Sequence, residues 1–162
     1  MEIKICQLSD PNSPHLPQII KWQYKTWGKK DGLRYDCVES NIRHSIMKDR
    51  IPLTYIALVD GELAGYHQID LHDMEARPDI YPWLINLFVV KKFRKQGVAS
   101  ALLKNVPNVL KKLKINHLYL YTSINGMYEK FGWEFVEMIE PKMKHQDKFV
   151  RLYKFTAKNT LK

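Results

Sequence analysis

Apolar positions recur along this chain with two periods, and each switch of period marks a change of element. Glu2 to Leu8 alternates every second residue and predicts a short strand. Ser13-Pro14 offers a helix cap followed by a proline suited to the first turn, and Leu16, Ile19, Ile20, Gln23 and Trp27 then recur at helical spacing until Gly28. Asp36 with Glu39 three residues on has the form of a capping box. Val38, Ile42 and Ile46 continue at four-residue spacing and predict a second helix before a break at Pro52. Leu53 to Val59 and Leu63 to Ile69 are β-rich runs joined through Asp60-Gly61, a pair that tolerates the positive φ of a tight hairpin.

Trp83 to Val90 is almost continuously apolar, the pattern of a strand covered on both faces. A short basic turn leads from it into a helix whose Ala99, Leu102, Leu103, Val106, Leu110 and Leu113 share a face, with Pro107 predicting either a kink or a break. Leu118 to Thr122 is the next strand and a short helix follows around Met127 to Phe131. Glu134 to Ile139 and Phe149 to Phe155 complete the sheet. The order βααβββαβαββ predicts a mixed α/β (α+β) sandwich, and with no linker, repeat or low-complexity tract, residues 1–162 read as a single domain.

Composition narrows the function classes. An apolar share of 45% over 162 residues is enough for a core and argues against a disordered tail. No apolar run reaches the ~18 to 20 residues of a bilayer crossing, and the N-terminus reads as a strand and not as a signal-peptide core, so a soluble cytoplasmic protein with no membrane partner is expected. Cys6 and Cys37 are too few for a disulfide framework and are read as two buried free thiols. His15, His44, His67, His72, His117 and His145 have no metal-ligand spacing, so no metal is expected.

A net charge of +9 attracts polyanions, whether nucleic acid, acidic membrane or a phosphorylated cofactor. Basic runs such as Lys91-Lys92, Lys111-Lys112 and Lys142 to Lys162 keep a nucleic-acid-binding protein open, but no helix-turn-helix, zinc-finger or RNP signature accompanies them. The segment Leu87 to Ser100 carries more specific chemistry. At a helix start several backbone N–H groups lack partners and point outward at the positive end of the dipole. Gly97 and the small Ala99 let an anion approach that backbone, with Lys91, Lys92, Arg94 and Lys95 adding charge around it. Neither a P-loop nor a Rossmann glycine motif is present.

Arg94-Lys95-Gln96-Gly97-Val98-Ala99 resembles the acyl-CoA-binding signature of the GNAT family of N-acetyltransferases: Arg or Gln, two residues, Gly, one residue, then Gly or Ala. Pro82-Trp83-Leu84 followed by Leu87-Phe88-Val89 is similar to that family's fourth strand, Leu118 to Thr122 to its fifth, and Tyr128-Glu129-Lys130-Phe131-Gly132-Trp133 to its YEKxGF/W segment. The resemblance implies a mostly antiparallel central sheet, flanked by helices, that splays between strands four and five. It further implies acetyl-CoA in the opening, its pyrophosphate on the amides of Lys95, Gln96, Gly97, Val98, Ala99 and Ser100. Backbone groups of Leu87, Phe88 and Val89 would then meet the pantetheine arm, with an amide near Val89 polarising the thioester carbonyl.

By the same resemblance Tyr128 takes the place of the general acid toward the departing thiolate, a role that a phenol of pKa ~10 suits. Family members often carry a carboxylate base on the fourth strand, whereas here that strand has only Asn86 as a polar residue. Asp70, Asp73, Glu75 and Asp79, in the loop leading into the strand, are candidates to take the proton through water and to attract a cationic amine. His67 and His72 are lesser candidates for the base. Trp22, Trp27, Tyr24 and Tyr35 read first as core and second as lining of the acceptor pocket.

The implied activity is direct acetyl transfer from acetyl-CoA to a primary amine of a small-molecule or peptide acceptor. No acyl-enzyme is needed, and neither cysteine falls in the motif region. The missing strand-four carboxylate leaves open a catalytically silent acyl-CoA sensor of the same fold. Dimers are common among the proteins resembled.

Overall fold

The structure is a computed structural model that describes residues 1–158, so the last four residues of the basic Lys142 to Lys162 run lie outside the described residues. Among the described residues seven strands form one sheet in the order β1-β2-β3-β4-β5-β7-β6: β1 (Ile3–Leu8), β2 (Leu53–Val59), β3 (Glu62–Asp70), β4 (Trp83–Val89), β5 (His117–Thr122), β6 (Glu134–Ile139) and β7 (Val150–Thr156). Every pairing is antiparallel except β4 with β5, which run parallel and share the single register point Trp83 opposite Tyr119. Beyond that point the sheet divides. This is the splayed α/β arrangement expected from the sequence.

Helices α1 (Leu16–Gln23) and α2 (Tyr35–Arg43) cover one face, where Leu16, Ile19, Ile20, Val38 and Ile42 pack on Leu8, Ile56 and Tyr66. Helices α3 (Val98–Lys104) and α4 (Val106–Leu113) cover the other, packing Leu103, Val106, Val109 and Leu110 on Leu53, Ile69, Leu84 and Leu118. The helix after the basic turn therefore breaks at Asn105, and Pro107 sits in the first turn of α4, where its missing amide costs nothing. The Asp60-Gly61 hairpin forms as predicted, with φ of 47° and 84°.

Both predicted helix starts are displaced. α1 is capped at His15, with Pro17 in its first turn, because Ser13 spends its hydroxyl on the His15 amide (3.3 Å) and builds a turn before the helix. α1 then widens into a π-turn over Tyr24–Gly28, closed by the Lys29 amide on the Tyr24 carbonyl at 2.9 Å. α2 starts from Arg34 without a capping box. Asp36 pairs instead with Arg34 (2.6 Å) and Glu39 with Arg43 (3.1 Å), so neither carboxylate reaches an amide.

The thiols are not buried as expected: Cys37 is exposed on the outer face of α2 and Cys6 is half-buried. β4 also departs from the prediction of two covered faces. Only Trp83 and Leu84 are fully buried, and Ile85 to Val89 are half-buried because they border the opening.

Candidate active site

The opening is shaped by a bulge in β4. Tyr66 pairs with Phe88 and Gln68 with Ile85, so Asn86 and Leu87 together face His67, and Asn86 adopts the left-handed conformation with φ 56°. The extra residue reverses the phase of the strand. Leu84 before it and Leu87 after it both pack on the α3–α4 side, while Phe88 turns toward α1. Gly65 lets β3 approach closely here: a Cβ at that position would stand 2.5 Å from the Phe88 carbonyl oxygen.

In the opening lies a cavity of about 880 Å³ walled by β4 residues Leu84 to Leu87, by Leu120 to Ile124, and by Gln23, Trp27 and Asn41 from the α1–α2 side. Its polar wall is acidic, with Asp31, Asp70, Asp73, Glu75 and Asp147, in a protein whose net charge is +9. The end of β3 supplies Asp70, and the loop between β3 and β4 brings in Asp73 and Glu75. Met74 and Ile80 anchor that loop against Trp83, Ile139 and Leu152, and Arg77 ties it to Glu137 of β6 at 3.0 Å. Asp73 is half-buried beside the cavity. Burial first, then the negative charges of Asp70 and Asp31, push its carboxyl up to about 7.

A second cavity of about 390 Å³ lies beyond β4, between the turn Phe93 to Ser100 and residues Met127, Lys130 and Phe131. Lys95 (φ 60°) and Gly97 (φ 87°) turn the chain into α3. The first helical bond runs from the Ala101 amide to the Gly97 carbonyl (2.9 Å), so the amides of Val98, Ala99 and Ser100 precede it. A fixed left-handed turn, free amides and a basic rim suit a diphosphate.

Tyr128 opens a 3-10 turn (Tyr128–Phe131) and lines the acidic cavity, while Met127, Lys130 and Phe131 from the same turn wall the basic one. Its ring packs against Trp133 and Tyr153 at 6.2 and 5.8 Å. Burial, with a smaller contribution from Tyr153, raises its hydroxyl to about 12, so the phenol stays protonated.

Of the other residues singled out from the sequence, Val89, Arg94, Lys95, Gly97, Val98, Ala99 and Ser100 line the basic cavity. Leu87 lines the acidic one, and the Phe88 ring packs among Trp22, Trp27 and Tyr66. Arg94 turns back to donate to the Val89 carbonyl (2.8 Å), and Gln96 donates to the Lys92 carbonyl (2.7 Å). Lys92 pairs with Glu62.

Asp79 does not join the acidic wall. It is held by Arg77 at 2.8 Å in an exposed pair that lowers its pKa. His67, a candidate base from the sequence, is fully buried away from both cavities and stacked on Tyr55 at 5.8 Å, and neither ring nitrogen has a hydrogen-bond partner among the described residues. Burial lowers its pKa to about 4. His72, Trp27 and Asn86 do line the acidic cavity, whereas Tyr35 is exposed. Asp31, Asn41, Tyr121 and Asp147 were not foreseen as lining; an isolated acid in the Lys29-Lys30-Asp31 run was the one available signal.

Among the described residues no group of three or more His, Cys, Asp or Glu side chains could hold a metal ion, and no helix is long and apolar enough to cross a membrane.

The model of the acetyltransferase (GNAT) domain family matches residues 51–135, which contain β2 to β5, the turn at Gly97 and Tyr128. The chain belongs to the GNAT family of acetyltransferases. A GNAT acetyltransferase from Streptococcus pneumoniae shares the fold at a TM-score of 0.68 and 16% identity, over 96% of this chain and 99% of that one. An aminoglycoside 6′-N-acetyltransferase complexed with coenzyme A gives 0.69 and 16%, over 97% of each chain. The ribosomal-protein-S18-alanine N-acetyltransferase from Escherichia coli gives 0.66 and 15%, over 96% of this chain and 94% of that one. At these identities the likeness concerns the fold. No curated protein matches the sequence.

Proposed function

We propose that this chain, acting as one domain, transfers an acetyl group from acetyl-CoA directly to the primary amine of a cationic small-molecule or peptide acceptor. One observation carries the reading: a single turn presents Tyr128 to the acidic cavity and Met127, Lys130 and Phe131 to the basic one. A donor held on the basic side and an acceptor held on the acidic side would then meet beside that phenol. That a solved relative is complexed with coenzyme A supports the choice of donor.

The turn from Arg94 to Ser100 binds the diphosphate, with Arg94, Lys95 and the amides of Val98 to Ser100 supplying charge and donors. The bulge turns backbone of Leu87 to Val89 toward the thioester. The amine arrives protonated, with a pKa near ~10.4, and must lose a proton before it attacks. Asp73 receives that proton, directly or through solvent; a carboxyl poised near 7 is half ionised at neutral pH, and Asp70 and Asp31 share in attracting the cation. The amine nitrogen forms its bond to the acyl carbon, the carbon–sulfur bond breaks, and the Tyr128 hydroxyl gives its proton to the thiolate. The nitrogen sheds its second proton as the amide forms, and that proton, passed through solvent, restores the phenol.

Calorimetric titration with acetyl-CoA, with CoA and ADP as comparators, followed by thiol release with a panel of amines, tests the reading. One micromolar site per chain and turnover with a cationic amine are expected. Absence of acetyl-CoA binding would overturn the donor assignment, and binding without transfer would favour the silent sensor.

A further inference from the structure

A hydrogen-bond chain runs from the acidic cavity into the core. Asn86 Nδ2 donates to Gln68 Oε1 (2.8 Å), Gln68 Nε2 to Thr54 Oγ1 (3.1 Å), and the Thr54 hydroxyl to the Ser45 carbonyl (2.7 Å). Gln68, Thr54 and Ser45 are each at most 4% exposed, so water offers them no alternative partners.

The chain can be read in one direction only. The Ser45 carbonyl accepts and never donates, so the Thr54 hydroxyl must give it a proton. The Thr54 oxygen can then only accept from the glutamine, which turns the Gln68 amide nitrogen to Thr54 and its oxygen to Asn86. Asn86 must answer with its own amide nitrogen. Its Oδ1, an acceptor with two lone pairs, is left for the cavity that the residue lines. The bulge that puts Asn86 at φ 56° brings this side chain to the point where the strands part.

Resting on the acetyltransferase reading above, we propose that Asn86 orients the acceptor: its carboxamide oxygen receives an N–H of the incoming amine, and Gln68 and Thr54 are positioning residues that fix this polarity from the core. An amine held by one N–H at Oδ1 and giving up a second proton toward the Asp73 side has its lone pair left for the thioester. The carboxamide binds without titrating, so orientation and proton removal fall to different residues.

The test uses the full chain, acetyl-CoA and three probe amines: spermidine, lysine amide and benzylamine. Asn86→Gly keeps a backbone suited to positive φ and removes the carboxamide. It is expected to raise the amine KM by about tenfold or more, the scale of one lost hydrogen bond to a polar partner, with the acetyl-CoA Kd within about twofold. Gln68→Leu frees the Asn86 amide to rotate and raises the amine KM by about threefold or more. Gln68→Glu, protonated by burial, accepts from Asn86 and donates to Thr54, and so restores it.

An unchanged amine KM in Asn86→Gly would overturn the proposal and leave the transferase reading intact. Equal losses of amine and acetyl-CoA affinity would mark a structural residue and overturn it too. A wild-type chain that binds acetyl-CoA but acetylates none of the three amines would overturn the amine reading and this role with it.

Discussion

Trp83 of β4 stands opposite Tyr119 of β5 at the single register point that the two strands share among the described residues, and the cleft opens from there. Trp83 is fully buried and its indole donates to the Ile80 carbonyl at 2.8 Å, so it anchors both the strand pair and the end of the acidic loop. Trp83→Ala is expected to cost about 3 to 5 kcal/mol, the range for losing a large buried aromatic, read by chemical denaturation. A loss below about 1 kcal/mol would show that the junction is held elsewhere.

Tyr128→Phe keeps the ring between Trp133 and Tyr153 and removes the proton donor. kcat should fall about a hundredfold, the lower range for a positioned general acid, with acetyl-CoA affinity unchanged by calorimetry. Normal turnover would exclude Tyr128 as the acid.

The pH profile tests Asp73. Its carboxyl must be ionised to accept a proton, so kcat/KM should rise with pH through about 7. Asp70→Asn removes one repelling charge and should move that limb to lower pH, while Asp73→Asn should abolish it. Tyr128, raised to about 12, adds no basic limb in the working range. A limb unmoved in Asp70→Asn would assign the base elsewhere.

Gly97 has φ 87°, where any Cβ is strained although nothing crowds the site closer than 3.9 Å. Gly97→Val should weaken acetyl-CoA binding by about tenfold or more through distortion of the phosphate turn, while the melting temperature falls only modestly. Undiminished binding would place the diphosphate elsewhere.

His67 ties stability to acid. Its folded pKa, lowered to about 4, lies below the ordinary value of 6.5, so the unfolded chain binds the extra proton between these limits. The contribution is fully present above about 6.5 and is lost as pH falls toward 4, amounting to about 3 kcal/mol. His67→Phe, which can still stack on Tyr55, should flatten that part of the stability curve. An equally steep curve would name another group.

Much of this was legible from the residues. The hairpin followed from Asp60-Gly61, because few other pairs tolerate two positive φ angles, and the basic turn into α3 followed from the run Lys91 to Gly97. The bulge at Asn86 was not, because an apolar run has no phase to lose: Ile85, Leu87 and Val89 read alike whichever face they take. Helix starts failed where local competitors won, the Ser13 turn and the Arg34–Asp36 pair both intercepting a cap. The acidic wall was half legible. Asp70, Asp73 and Glu75 are neighbours in sequence, but Asp31 and Asp147 join them only through folding.

A sheet that parts between β4 and β5 is a ladder missing its middle rungs. Its two halves, β1 to β4 and β5 to β7, share backbone pairing at one point and are otherwise joined by the side chains packed under α3 and α4. A pantetheine arm lying in that gap would supply the missing rungs and stiffen both halves into one body. Heat tolerance would then follow the supply of donor: at a concentration about a hundred times Kd the filled protein gains ~2.7 kcal/mol over the empty one. On the proposed reading, the chain saturated with acetyl-CoA would then be the rigid form and the chain without it the softer one.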